Sequence, residues 1–266
     1  MATPVAYRIA ELTEVADLQE VVNLFAQVWG GEAPINSNTL RALSHSGNYI
    51  AGARSDGRLI GAVMGWLGGH PPHDLHLHSH ILAVVPDIEA RGLGFALKQH
   101  QRDWCLAREV PVVEWTFDPL VRRNAYFNLT KLGAEAAQYL INFYGPMEDS
   151  INAGDESDRI LIRWDLDSEK ARAAAAGRAV EQEAVDGMPK ALRVSGDGEP
   201  DAHAVRGSSA LVQVPDDIVA IRKSNPALAR RWRNAVREVL GDAMSSGYRV
   251  TGATRDGWYV LRSSPH

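Results

Sequence analysis

The stretch from Ile81 to Lys98, ILAVVPDIEARGLGFALK, constrains the fold of this chain more than any other. It opens as an apolar, strand-like run from Ile81 to Val85, which Pro86 stops. Two glycines, Gly92 and Gly94, follow in a loop. From Leu93 onward the apolar residues Leu93, Ala96, Leu97, Trp104 and Ala107 fall at helical spacing. Strand, glycine-bearing loop and helix start, in that order, make an anion cradle. Glycine admits positive φ and close backbone approach, and the amides at a helix N-terminus attract phosphate. The G-x-G-x-x-G spacing of a dinucleotide fold fails, because Leu97 stands three after Gly94, and no G-K-[ST] supports a P-loop.

Length leaves room for one large domain or two modest ones: 266 residues and 29.1 kDa. A net charge of −5 and a pI of about 6.0 argue against nucleic acid or an anionic membrane as partner. Only five of the 28 basic residues are lysine, which points to a GC-rich genome rather than to a function; a bacterial source is expected. The opening MATPVAYRIAEL has no apolar signal core, no 18-residue apolar run exists, and the single Cys105 forms no internal disulfide. A cytoplasmic location is expected.

Periodicity predicts a strand over Val5–Leu12 and a helix from Asp17 with Leu18, Val22, Phe25 and Trp29 on its apolar face. A short helix near Thr39–Ser44 precedes strands at Tyr49–Arg54 and Leu59–Leu67, joined by the turn signal Ser55-Asp56-Gly57. The key strand starts near Leu75. A strand at Val112–Phe117, a helix at Arg122–Leu132 stopped by Gly133, and strands at Gln138–Tyr144 and Arg159–Asp167 follow.

The motif V-x-P…R-G-x-G-x-A-L around Gly92 and Gly94 resembles the pyrophosphate loop of the GNAT acyl-CoA N-acyltransferases, with Glu89 where Gln or Arg is usual. The element order is also that of the family. The family's N-x-x-A-x-x-L-Y-x-K-x-G-F falls on Arg122 to Ala134, where Ala125, Lys131 and Gly133 match. Leu129 takes the place of the usual tyrosine, and Tyr126 lies one turn earlier. The run Trp115–Leu120, then Asn124-Ala125, Asn128, Lys131-Leu132-Gly133, Tyr139, Asn142, Asp149, Asn152, Gly154, Ser157-Asp158-Arg159, and VPDDI…LARRWR…GYRV from Val214 to Val250, are similar to a branch of predicted GNAT acetyltransferases with a C-terminal extension.

The resemblance implies an α/β (α+β) fold: a mixed, mostly antiparallel central sheet flanked by helices, with a small α+β C-terminal module. It implies acetyl-CoA, or another acyl-CoA, as co-substrate and a small-molecule amine as acceptor. A homodimer stays open. A catalytically degenerate module that binds acyl-CoA or a protein partner without turnover is the alternative. In the family the strand before the pyrophosphate loop splays from the next, and the thioester lies in the gap. Leu82, Ala83 and Val84 would then meet the pantetheine and acyl oxygen. Arg91, Gly92, Leu93, Gly94, Phe95 and Ala96 would hold the phosphates, with Asn124 as a further contact.

Amine attack on a thioester needs a base and a proton for the leaving thiolate. His76, His78 and His80 alternate along one strand and so share a face. His80, then His78, then Glu114 rank as bases, and Tyr126 is a candidate acid. Five of the nine histidines lie in His70–His80, but zinc would need further ligands that the sequence does not supply, so no metal is expected. Asp118-Pro119 reads as a turn, or as a carboxylate for an acceptor's ammonium.

A boundary is expected after Asp167, with 1–167 the acyl-CoA-binding catalytic domain and 168–266 an extension packed on it. Ser168–Ala184 reads as a connector helix, Ala191–Val194 and Leu211–Val214 as strands, and Tyr248–Thr254 with Trp258–Arg262 as a hairpin. Pro226–Leu240 reads as a helix capped by Asn225, with a stripe of Leu228, Trp232, Ala235, Val236 and Val239 opposite Arg230, Arg231, Arg233 and Arg237. Such an arginine face is expected to be solvated or paired.

Overall fold

Asp56 and Gly57 both sit at positive φ, 48° and 79°, between the paired residues Ser55 and Arg58. A two-residue turn of that hand matches the twist of the strands it joins, so the expected hairpin forms. The computed structural model describes residues 6–69, 74–86, 92–145, 155–178 and 185–264. The chain divides into two compact units, Met1–Trp115 and Thr116–His266.

The first unit holds β1 (Arg8–Glu11), α1 (Val15–Trp29), α2 (Ser37–His45), β2 (Tyr49–Ser55), β3 (Arg58–Gly68), β4 (His76–Val84) and α3 (Leu93–Leu106). Strand β5 (Val112–Phe117) runs across its boundary. The sheet order is β1-β2-β3-β4-β5, antiparallel except for β4–β5. Helix α1 buries Leu18, Val21, Leu24 and Phe25. The expected face is therefore rotated: Val21 and Leu24 complete it, and Trp29 stands edge-on to Phe25 at 6.0 Å. Asn36 caps α2 by accepting from the Thr39 amide at 2.9 Å.

Between β3 and β4 the register shifts: Gly65 pairs with Ser79, but Met64 pairs with Ile81. His80 is the extra residue of a bulge. A Cβ on Gly65 would lie 2.6 Å from the His78 carbonyl oxygen, so only glycine fits opposite this bulge. The bulge reverses the alternation of β4. Trp66 and His78 share one face, while Leu82 and Val84 share the other with Leu77 and Ser79. That second face carries α3, where Lys98 reaches Ser79 and Gly94 approaches Leu82.

The second unit begins with α4 (Arg122–Ala125), which loosens into a π-helical turn at Tyr126–Lys131. Gly133 ends it at φ 70°, as a C-terminal glycine does, and packs where a Cβ would be 2.8 Å from Lys170. Strands β6 (Glu135–Leu140) and β7 (Arg159–Asp165) pair antiparallel. Strand β6 stops earlier than expected because Asn142, at φ 45°, turns the chain. Helix α5 (Glu169–Ala175) is shorter than the expected connector, whose residues 179–184 lie outside the described ones.

The chain continues through β8 (Lys190–Val194), β9 (Pro200–Ala202), β10 (Ser209–Gln213), α6 (Ile218–Ser224) and α7 (Pro226–Val236). A π-helical turn (Arg237–Gly241), α8 (Asp242–Ser245), β11 (Tyr248–Ala253) and β12 (Trp258–Ser263) complete it. The second sheet has the order β11-β12-β10-β8-β9. The fold is mixed α/β with antiparallel-dominated sheets flanked by helices, and a second sheet lies toward the C-terminus. Helix α6 was not expected, although Asp217 caps it by accepting from the Ala220 amide at 3.0 Å. Asn225 and Pro226 open α7 as the sequence predicts.

Candidate active site

Strands β4 and β5 are hydrogen-bonded at only two rungs, Leu77–Val113 and His78–Glu114. Beyond them β4 runs on through the bulge to Val84, so the two strands form a fork. One face of the fork carries the histidines. The rings of His78 and His80 lie 4.9 and 4.7 Å from Trp66 and 5.7 Å from each other. The bulge thus keeps His80 beside His78. His76 Nε2 stands 3.7 Å from a Glu114 carboxylate oxygen. Three of the four residues predicted for proton transfer, His78, His80 and Glu114, therefore meet on this face.

Burial lowers the basicity of both stacked histidines. His78 is pushed down to about 4, with the neighbouring His80, His76 and Lys98 charges acting in the same direction. His80 is lowered by burial alone. Both rings are neutral near pH 7. Among the described residues, no group of three His, Cys, Asp or Glu side chains could hold a metal ion.

The opposite face of the fork holds a buried lysine that periodicity did not single out. Lys98 is 3% exposed, and its Nζ donates to Ser79 Oγ at 2.9 Å and Gln101 Oε1 at 3.0 Å. It also lies 3.7 Å from the centre of the Trp115 ring. Burial draws its pKa down to about 7, against an opposing pull from Cys105.

Gly92, at φ 92°, precedes α3, and the first helical bond runs from the Ala96 amide to the Gly92 carbonyl at 2.9 Å. The amides of Leu93, Gly94 and Phe95 thus have no acceptor within the helix. Among the described residues, nothing lies within 4 Å of a Cβ built on Gly92, and only Leu82 Cδ2, at 3.8 Å, near one on Gly94. Three helix-terminal amides without an acceptor in the helix, at its positive end and with space before them among the described residues, fit a phosphate. Leu82, Ala83 and Val84 lie on β4 beyond the bulge, and Arg91 and Glu89 lie outside the described residues. A cleft of about 130 Å³, lined by Glu11, Asn48, Trp104 and Arg108 among others, sits at the other end of α3.

The family model described as Acetyltransferase (GNAT) family matches residues 18–133, a span that takes in the fork, the histidine face and the glycine cradle. The match to a GNAT acetyltransferase domain covers somewhat less than half of the chain. A solved Acinetobacter baylyi protein assigned as an acetyltransferase is 17% identical, with a TM-score of 0.53, covering 62% of this chain and 96% of its own. A Salmonella typhimurium protein, also assigned as an acetyltransferase and solved with its cofactor acetyl-CoA, is 14% identical, with a TM-score of 0.50 and the same coverage. At these identities the likeness is one of fold. No curated protein sequence matches the chain.

The last residues of the GNAT match fall in the second unit. Tyr126 starts the π-helical turn, and its hydroxyl accepts from Arg255 Nε at 3.0 Å. Asn124 is half-buried in α4. Asp118 opens the expected turn, accepting from the Leu120 amide at 3.0 Å, and is not open to an acceptor. It is 7% exposed and takes Arg222 Nη2 at 2.5 Å and both terminal nitrogens of Arg233 at 2.8 and 3.0 Å. Asp155 accepts from the same two arginines at 3.0 to 3.1 Å. Asp158 takes Arg237, the Tyr139 hydroxyl at 2.8 Å and the Asn142 amide at 3.0 Å. Asp149, Asn152 and Gly154 lie outside the described residues. Of the four arginines on the expected face, Arg231 pairs with Glu199, Arg237 with Asp158 and Glu156, and Arg233 is buried.

Proposed function

We propose that the chain is a cytoplasmic bacterial N-acetyltransferase that moves an acetyl group from acetyl-CoA to the amine of a small molecule by direct attack. The observation that carries this reading is the fork between β4 and β5, with neutral histidines on one face and the helix-terminal amides of Leu93, Gly94 and Phe95 at the N-terminus of the helix behind it. The amides would hold the pyrophosphate, together with Arg91, Phe95 and Ala96, and Asn124 would add a contact. The backbone of Leu82, Ala83 and Val84 would align the pantetheine and the acyl carbonyl.

The amine nitrogen attacks the thioester carbonyl, the carbon–sulfur bond breaks, and the amine's proton must leave. His80 is the first base, because its ring is the most exposed of the three on β4. His78, pushed down to about 4, is a weaker base, and Glu114 can act directly or through water. Tyr126 would return a proton to the thiolate. Residues 1–167 form the catalytic part in this reading. Residues 168–266 are an extension anchored through Arg222 and Arg233 on Asp118 and Asp155.

The test is release of free CoA thiol from acetyl-CoA in the presence of a panel of small amines, peptides and polyamines. Turnover with a small amine supports the reading, and turnover with peptides alone moves the acceptor to proteins. Acetyl-CoA binding without turnover on any acceptor favours the degenerate module.

A further inference from the structure

We infer that Lys98 is a positioning residue for acyl transfer, a wedge that holds β4 and β5 apart where the pantetheine thioester must enter. The inference rests on the acetyl-CoA reading above. The strands pair at His78–Glu114, and the next rung would join Ser79 to Trp115. Both of those residues point to the face that carries α3, following the alternation from Leu77 and Val113. On that face the Lys98 ammonium stands between the two side chains, 2.9 Å from Ser79 Oγ on one strand and 3.7 Å from the Trp115 ring centre on the other.

An ammonium has three N–H donors. Ser79 Oγ, Gln101 Oε1 and the Trp115 π-face account for all of them. A methionine of similar length would fill the same space without the cost of burying a charge, so packing alone does not explain a lysine here. The same helix carries the cradle at its N-terminus and the wedge about one turn later, roughly 6 Å along its axis from Gly94. One rigid element therefore fixes the distance from the phosphate site to the fork.

The test compares the wild-type chain with Lys98→Met, Ser79→Ala and the double variant. Dissociation constants are measured for acetyl-CoA and for adenosine 3′,5′-bisphosphate, which lacks the pantetheine arm. The wedge predicts that each single variant weakens acetyl-CoA by about tenfold and leaves the bisphosphate within about twofold. It also predicts that the double variant is no worse than the singles, because both remove one link. Equal weakening of both probes, or no change in either, overturns the wedge. If Lys98→Met does not fold, Ser79→Ala decides alone, since it removes only one oxygen. A wild-type chain that binds the bisphosphate but gains nothing from the acyl-pantetheine arm overturns the wedge and leaves the cradle standing. A wild-type chain that binds neither probe overturns the acetyl-CoA reading and the wedge with it.

Discussion

Asp118 receives Arg233 through two parallel hydrogen bonds, Nη1 to Oδ1 at 2.8 Å and Nη2 to Oδ2 at 3.0 Å, with the two residues 7% and 1% exposed. Bidentate pairing of this kind is among the strongest that side chains make. Removing one partner of a buried pair strands the other charge, at about 3 to 5 kcal/mol. Asp118→Asn is therefore expected to lower unfolding stability by that amount, read from the denaturant midpoint at unchanged slope. A loss below about 1 kcal/mol would mean that the arginines find other partners.

The same carboxylate makes stability depend on acid. The arginines hold the Asp118 pKa below its ordinary value in spite of burial. A depressed carboxylate stabilises the fold above its unfolded pKa, near 4, and that stability is lost as the pH falls toward the folded value. Asp158 acts in the same direction. Stability measured from pH 6 down to pH 2 should therefore fall, and the fall should be shallower in Asp118→Asn.

Proton transfer is expected to run through the stacked histidines. His80→Gln should lower the rate with the best acceptor by about a hundredfold or more, and His78→Gln by less. In the wild type, the acid limb of the rate profile should lie below pH 6.5, because burial lowers both rings. A His80→Gln enzyme with at least half the wild-type rate would pass the role to Glu114.

A chain ending at Asp167 loses Arg222, Arg233 and Arg237. It would leave Asp118, Asp155 and Asp158 without these partners at sites where each is under a tenth exposed. Such a chain should aggregate or unfold, as seen by size-exclusion chromatography and circular dichroism. A soluble, fully active product would show that the extension is dispensable.

Local signals were legible where residue chemistry sets geometry directly. Gly133 and Asn225-Pro226 mark helix ends, Asp56-Gly57 marks a hairpin, and the Gly92 loop marks a helix start at positive φ. Two departures share one cause. Long cationic side chains such as Lys98 and Arg233, the latter opposite the apolar stripe of its helix, read as solvent-facing, yet both are buried because distant partners satisfy them. The bulge at His80 was hidden as well. Strict alternation puts His76, His78, His80, Leu82 and Val84 on one face, and only pairing with Gly65 shows that the pattern breaks.

The central claim is that the cradle at Gly92 binds the phosphates of an acyl-CoA. The direct measurement is the Tm of wild type and Gly92→Glu, titrated with CoA, acetyl-CoA and longer acyl-CoAs. A ligand that binds only the folded state adds about 2.7 kcal/mol at a hundred times its Kd. Gly92→Glu puts a side chain at φ 92° and a negative charge before the helix-terminal amides. The account predicts a concentration-dependent rise in Tm for the wild type and none for the variant. No rise with any CoA in folded wild-type protein, or an equal rise in both, would contradict it.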